Sequence, residues 1–294
     1  MSELPREGDI VVRQIPFAFP DDLDPLWSSH HEWSHMVNGT SLTMPYLEPF
    51  LIATLKEGIE LTDDPAVKRE ARGFMAQEAQ HYKTHRRYNE LLKAHGYPEL
   101  AEIEVAMERS YDRLRKRSLT YRLAYACGFE TMTLGVTNWL ISDRKALFGG
   151  TDTRVASFIL WHFVEEAEHK RAAFDVYQAV RGQYWPRLLG VFTGSFHVLW
   201  WARKGTVAML KADGRWHDWR SRLRLWRRTA DFFRAALPVI LRSASPWHDP
   251  RNEPDPPWVR DWIAGYAAAD PGRAPLLDTD DPELPIPFAM KGAA

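Results

Sequence analysis

A chain of 294 residues, 45% hydrophobic and 26% charged, has ample apolar mass for a large soluble core. A net charge of −1 gives no global attraction to nucleic acid, and no nucleic-acid partner is expected. Cys127 is the single cysteine, which excludes an intrachain disulfide and fits a reducing cytoplasm; Met1 to Glu7 lack a signal-peptide pattern, and no apolar run approaches the roughly 18 residues of a spanning helix.

Residues 1–40 read as an irregular arm, because Pro16, Pro20 and Pro25 break helices and Asp21, Asp22 and Asp24 favour turns. His30, His31 and His35 are irregularly spaced there and read as solvated or capping residues. A first bundle helix is expected from about Ser41 to Ile59, with Glu48 on the face of Leu51, Ile52, Leu55 and Ile59. Pro49 bends it beside Glu48, which either re-aims the carboxylate or leaves it on the surface.

The second helix has clear punctuation: Asp64 caps it, Pro65 opens it, Gly96 ends it and Pro98 follows. Glu78 and His81 share its face with Ala71, Phe74, Met75, Tyr82 and His85. About 50 residues then separate Glu78 from Glu130, which fits a bundle with one long crossover, here holding an extra helix over residues 99–115. The third core helix runs from about Ser118 to Phe148 and carries Glu130 beside Cys127 and Leu134. The fourth is capped by Thr151 or Asp152 and continues to about Arg181. Its inner face holds Ile159, His162, Phe163, Glu166, His169 and Ala173.

Residues 41–182 thus form an all-α four-helix bundle, followed by a basic, aromatic helical extension over 183–245. Arg203 to Arg242 contains eleven Arg or Lys against three Asp, interleaved with Trp and Phe. Two further helices packed on the bundle are the favoured reading. Peripheral membrane contact through 188–242 is the alternative. Residues 246–294 are rich in proline and form a tail, with a short helix near Trp258 to Ala269.

Two tetrads organise the chemistry: Glu78-Ala79-Gln80-His81 and Glu166-Ala167-Glu168-His169. Residues three apart share a helix face, so each tetrad offers a carboxylate and an imidazole to one point. With Glu48 and Glu130 on two other helices, they make a four-helix carboxylate site for two metal ions. Carboxylate plus imidazole suits iron or manganese, and zinc is less favoured. Glu165 is an alternative to Glu166, Glu168 faces away, and His85 reads as a supporting or pocket residue.

This order resembles the ferritin-like di-metal carboxylate superfamily. The strings Leu42 to Phe50, Gln77 to His81, Gly128 to Glu130 and Trp161 to His169 are similar to a bacterial family described as predicted metal-dependent hydrolases. His162-x-x-x-Glu166-x-x-His169 is also similar to the di-iron arylamine N-oxygenases, which implies His162 as a seventh ligand. The resemblance implies a non-haem di-iron oxygenase or oxidase using O2 and a separate electron donor. Its mainly apolar small-molecule substrate would lie against Phe74, Phe129, Phe163, Leu134 and Cys127. A metal-dependent hydrolase is the second reading, a non-catalytic metal-binding bundle the third, and a homodimer is compatible with each.

Overall fold

The computed structural model describes residues 10–270 and 272–288; the segment read for a signal peptide lies outside the described residues. Among those described there are helices and no strand. They are α1 (His31–Ser41), α2 (Met44–Gly58), α3 (Pro65–Ala94), α4 (Leu100–Arg115), α5 (Leu119–Ser142), α6 (Arg144–Phe148), α7 (Thr153–His169), α8 (Ala172–Val180), α9 (Tyr184–Ala212), α10 (Trp219–Ser243) and α11 (Pro257–Ala267). The core bundle is α2, α3, α5 and the α7–α8 pair, with α4 as the crossover helix packed against α2. No helix among the described residues is long and apolar enough to cross a membrane.

The local chemistry explains the element ends. Asp64 accepts hydrogen bonds from the backbone of Ala66 and Val67 and so caps α3, and Pro65 opens it at no cost in lost donors. Gly96 ends it with φ +111°, where a side chain would be strained. Ser118 caps α5 and Asp152 caps α7 in the same way. Pro49 lies inside α2, and Glu48 is only 1% exposed beside it, so the surface alternative for Glu48 is excluded.

Three expectations are corrected. The arm is not wholly irregular: past Pro25 no proline remains before Ser41, and α1 forms where Trp33 and Val37 bury one face. Its His35 is neither solvated nor a cap; Nε2 sits 2.6 Å from Asp213 Oδ2 in the interior. Each of the two long helices is broken, α5 from α6 near Asp143 and α7 from α8 near Lys170.

α9 is closer to the core than an appendage would be. It crosses α5 where Gly190 meets Ala124 and Gly128, and a Cβ on Gly128 would fall inside the Gly190 backbone. Glycine is required at that crossing because the two backbones touch. The tail lies on the bundle: Gly150 N donates to Thr279 O at 2.7 Å, Leu277 N donates to Ser157 Oγ, and Leu277 and Leu284 are buried.

Candidate metal centre

Glu78, His81, Glu166 and His169 come together in the interior, with ligand atoms all within 4.8 Å of one another. Glu48, His85 and His162 form a second such group. Glu130 stands outside both groups, with Oε2 3.9 Å from His169 Nδ1. All seven expected residues are at most 3% exposed. Helices α2, α3, α5 and α7 each bring at least one, which follows from the apolar faces that drive each helix inward.

Burying four carboxylates costs several kcal/mol each unless something positive or hydrogen-bonding meets them. Here much of that is missing. Both carboxylate oxygens of Glu48 and of Glu78, Glu130 Oε1, Glu166 Oε2, His81 Nδ1 and both nitrogens of His169 have no hydrogen-bond partner. Native proteins rarely leave so many buried polar atoms unsatisfied in one place. Two divalent cations would cancel the formal charge of Glu48, Glu78, Glu130 and Glu166.

The tautomers point the same way. Glu165 accepts from His81 Nε2 at 2.9 Å, which leaves the His81 Nδ1 lone pair facing Glu78 Oε2 at 3.8 Å. For His162 a relay fixes the proton. Asn89 Nδ2 donates to Ser41 O, so Asn89 Oδ1 accepts from the Ser41 hydroxyl at 2.8 Å. Ser41 Oγ must then accept from His85 Nδ1 at 2.7 Å. His85 Nε2 therefore accepts from His162 Nδ1 at 2.6 Å. His162 Nε2 is left with a lone pair, 2.7 Å from Glu166 Oε1 and 3.9 Å from Glu48 Oε1. A lone pair facing a carboxylate oxygen needs a proton or a cation between them. The residues present fit a pair of metal ions.

A family model described as "Predicted metal-dependent hydrolase" matches residues 11–254. This chain belongs to that family. No curated protein and no solved structure matches it significantly. The match to the predicted metal-dependent hydrolases spans both buried groups and helices α9 and α10 as well.

Electrostatics in this family member reflect the crowding. Burial, then the neighbouring glutamates, hold the carboxyls of Glu48, Glu130 and Glu166 well above the usual range. Burial lowers His162, with help from His81, His85 and His169, and it lowers His85 and His169 too. His81 goes the other way. Burial opposes its charge, but the hydrogen bond to Glu165 and the nearby carboxylates of Glu78 and Glu165 outweigh that and raise it.

Sequence reasoning missed the supports. Glu165, weighed only as a substitute for Glu166, instead holds His81, and Arg13 from the arm holds Glu165 at 3.0 Å. Arg13 Nη2 also donates to Glu168 at 2.9 Å, and Gln77 donates to Glu168 at 3.0 Å. Glu168 does face away from the centre, toward this arginine. The adjacent pair Glu165-Glu166 was the available signal; nothing local marks Arg13.

A cavity of about 330 Å³ adjoins the centre. His85, His162 and Glu166 form its polar end, and Phe129, Phe163 and Trp139 are among its apolar walls. Of the five wall residues expected, Phe129 and Phe163 line it, whereas Phe74 packs edge-on against His169 at 4.6 Å instead. Cys127 is buried with its thiol pushed up to about 12 by burial, so it is a core residue and not a thiolate.

Proposed function

We propose that this chain is a dimetal enzyme acting on a mainly apolar small molecule. Glu48, Glu78, His81, Glu130, His162, Glu166 and His169 would hold the two ions. The observation that carries this is the largely apolar cavity that has His162, Glu166 and His85 at its inner end. Its volume suits a small ligand, and its walls would order an acyl, alkyl or aromatic group while excluding water.

The protein's own residues supply positioning. Arg13 and Glu165 set the His81 ring, and Asn89, Ser41 and His85 set the His162 ring. When bound, the ions supply Lewis acidity for hydrolysis and, if they are iron, electrons for dioxygen. The family's description supports hydrolysis as the reaction, and the cavity walls suit an apolar substrate. A second reading, oxidation with O2 and a separate electron donor, is favoured by the scarcity of polar groups around the cavity. A polar scissile group would find few polar partners beside the centre, chiefly His162, Glu166 and His85.

The test is metal analysis followed by two assays on the loaded protein. Two ions per chain with oxygen-independent cleavage of apolar esters supports hydrolysis. Two redox-active ions with reductant-dependent oxygen uptake supports oxidation. One ion or none at saturation sinks the dimetal reading.

A further inference from the structure

α9 and α10 carry exposed stripes of large apolar side chains. On α9, Trp185, Leu189, Phe192, Phe196 and Trp200 recur at steps of three and four and so share one face. On α10, Trp219, Leu223, Trp226, Phe233, Leu237 and Leu241 share a face at steps of three, four and seven. These side chains are 42–74% exposed, and contiguous apolar surface of this kind marks an interaction face.

The α10 stripe meets the cavity. Trp226 and Phe233 belong both to the α10 stripe and to the cavity wall, and exposed Arg203 and Arg222 line it too. The cavity therefore opens to solvent among these four residues. Charge on this face is one-sided. α9 has no acidic residue, and α10 has seven arginines against Asp231 alone. Among the described residues, no carboxylate pairs with Arg203, Lys204, Arg220, Arg222 or Arg227. The cations lie on the aromatic rings instead: Arg203 and Arg222 over Trp216 at 5.8 and 6.0 Å, and Lys204 over Trp200 at 5.1 Å.

Aromatic side chains with unpaired arginines among them suit the boundary between acyl chains and anionic headgroups. A second copy of the chain fits less well. A twofold contact would set the same unpaired arginines against each other. We infer that the α9–α10 face docks on an anionic lipid surface, where the cavity mouth takes its apolar substrate from the bilayer. The substrate route rests on the reading of the cavity above; docking itself does not.

The experiment is flotation of the full-length, metal-loaded protein with vesicles of phosphatidylcholine, with and without phosphatidylserine. Binding is expected only when phosphatidylserine is present. Arg220→Ala with Arg227→Ala should weaken it about twenty-fivefold, at about fivefold for each basic residue at the surface. Phe192→Ser with Phe196→Ser should abolish it, and neither pair lines the cavity or nears the metal groups. Circular dichroism and metal content, unchanged in both variants, establish that they fold. Absence of wild-type flotation on anionic vesicles overturns the inference. So does a dimer that Phe192→Ser and Phe196→Ser dissociate, which assigns the face to a second copy. Neither readout depends on turnover, so failure here is distinct from failure of the dimetal reading.

Discussion

His162 Nε2 lies 2.7 Å from Glu166 Oε1, one helical turn away on α7, while its other nitrogen is engaged by His85. The ring is thus aimed at the centre with its proton on the far side. His162→Ala should keep the fold and at least one metal ion while changing the reaction with substrate. Ser41→Ala removes the acceptor that orients His85 and should weaken one metal position about 10- to 100-fold. Competition with a chromophoric chelator reads both. Unchanged affinity in the two variants would show that His162 neither binds metal nor depends on the relay.

Arg13 is 2% exposed and bridges Glu165 and Glu168. Arg13→Ala leaves a buried carboxylate without its cation and should cost about 3 kcal/mol or more in urea unfolding. Glu165→Gln keeps the shape and removes the charge, so it should cost less stability and about 10- to 100-fold in metal affinity. If both variants lose only stability, the His81 support is structural and the metal reading of His81 weakens.

Metal removal should be pH-dependent. Glu48, Glu130 and Glu166 have folded-state pKa values above their unfolded ones. Their contribution to stability in the metal-free protein is fully present below the unfolded pKa and is lost as pH rises through the folded values. Metal binding displaces those protons and adds stability by mass action, about 2.7 kcal/mol at a hundredfold excess over Kd. The melting temperature gap between loaded and chelated protein should therefore widen from mildly acidic to neutral pH. A constant gap would mean the three glutamates do not share the ions.

His197 offers an independent titration away from the centre. It bonds Tyr125 and Ser110 at 2.9 Å and accepts from Trp201 Nε1 at 3.1 Å; burial, then Arg113, pulls it down to about 4. With the folded value below the unfolded one, stability is lost as pH falls from about 6.5 toward about 4, by on the order of 2 kcal/mol. His197→Asn should flatten that slope in urea melts at several pH values. An unchanged slope would assign the acid lability to other histidines.

The helical order and the two tetrads were legible because periodicity and capping are local: Asp64-Pro65 and Gly96 bracket α3 almost to the residue. Glu78, His81, Glu166 and His169 converge, as their three-residue spacing on apolar faces requires. Glu130 lies outside the two groups, and His85 falls within one. Sequence spacing fixes which face a residue takes, not its depth along the bundle. α1 was hidden because its stability comes from Trp33 docking on Trp139 and Phe148, more than a hundred residues away. Arg13 was illegible for the same reason, since its partners lie on α7.

The most direct measurement is anomalous diffraction from crystals of the metal-saturated protein. Two peaks per chain should appear among Glu48, Glu78, His81, Glu130, His162, Glu166 and His169, with His162 Nε2 and His81 Nδ1 facing the ions. Saturated crystals whose peaks lie elsewhere, with these carboxylates instead paired to protein donors, would contradict the dimetal centre.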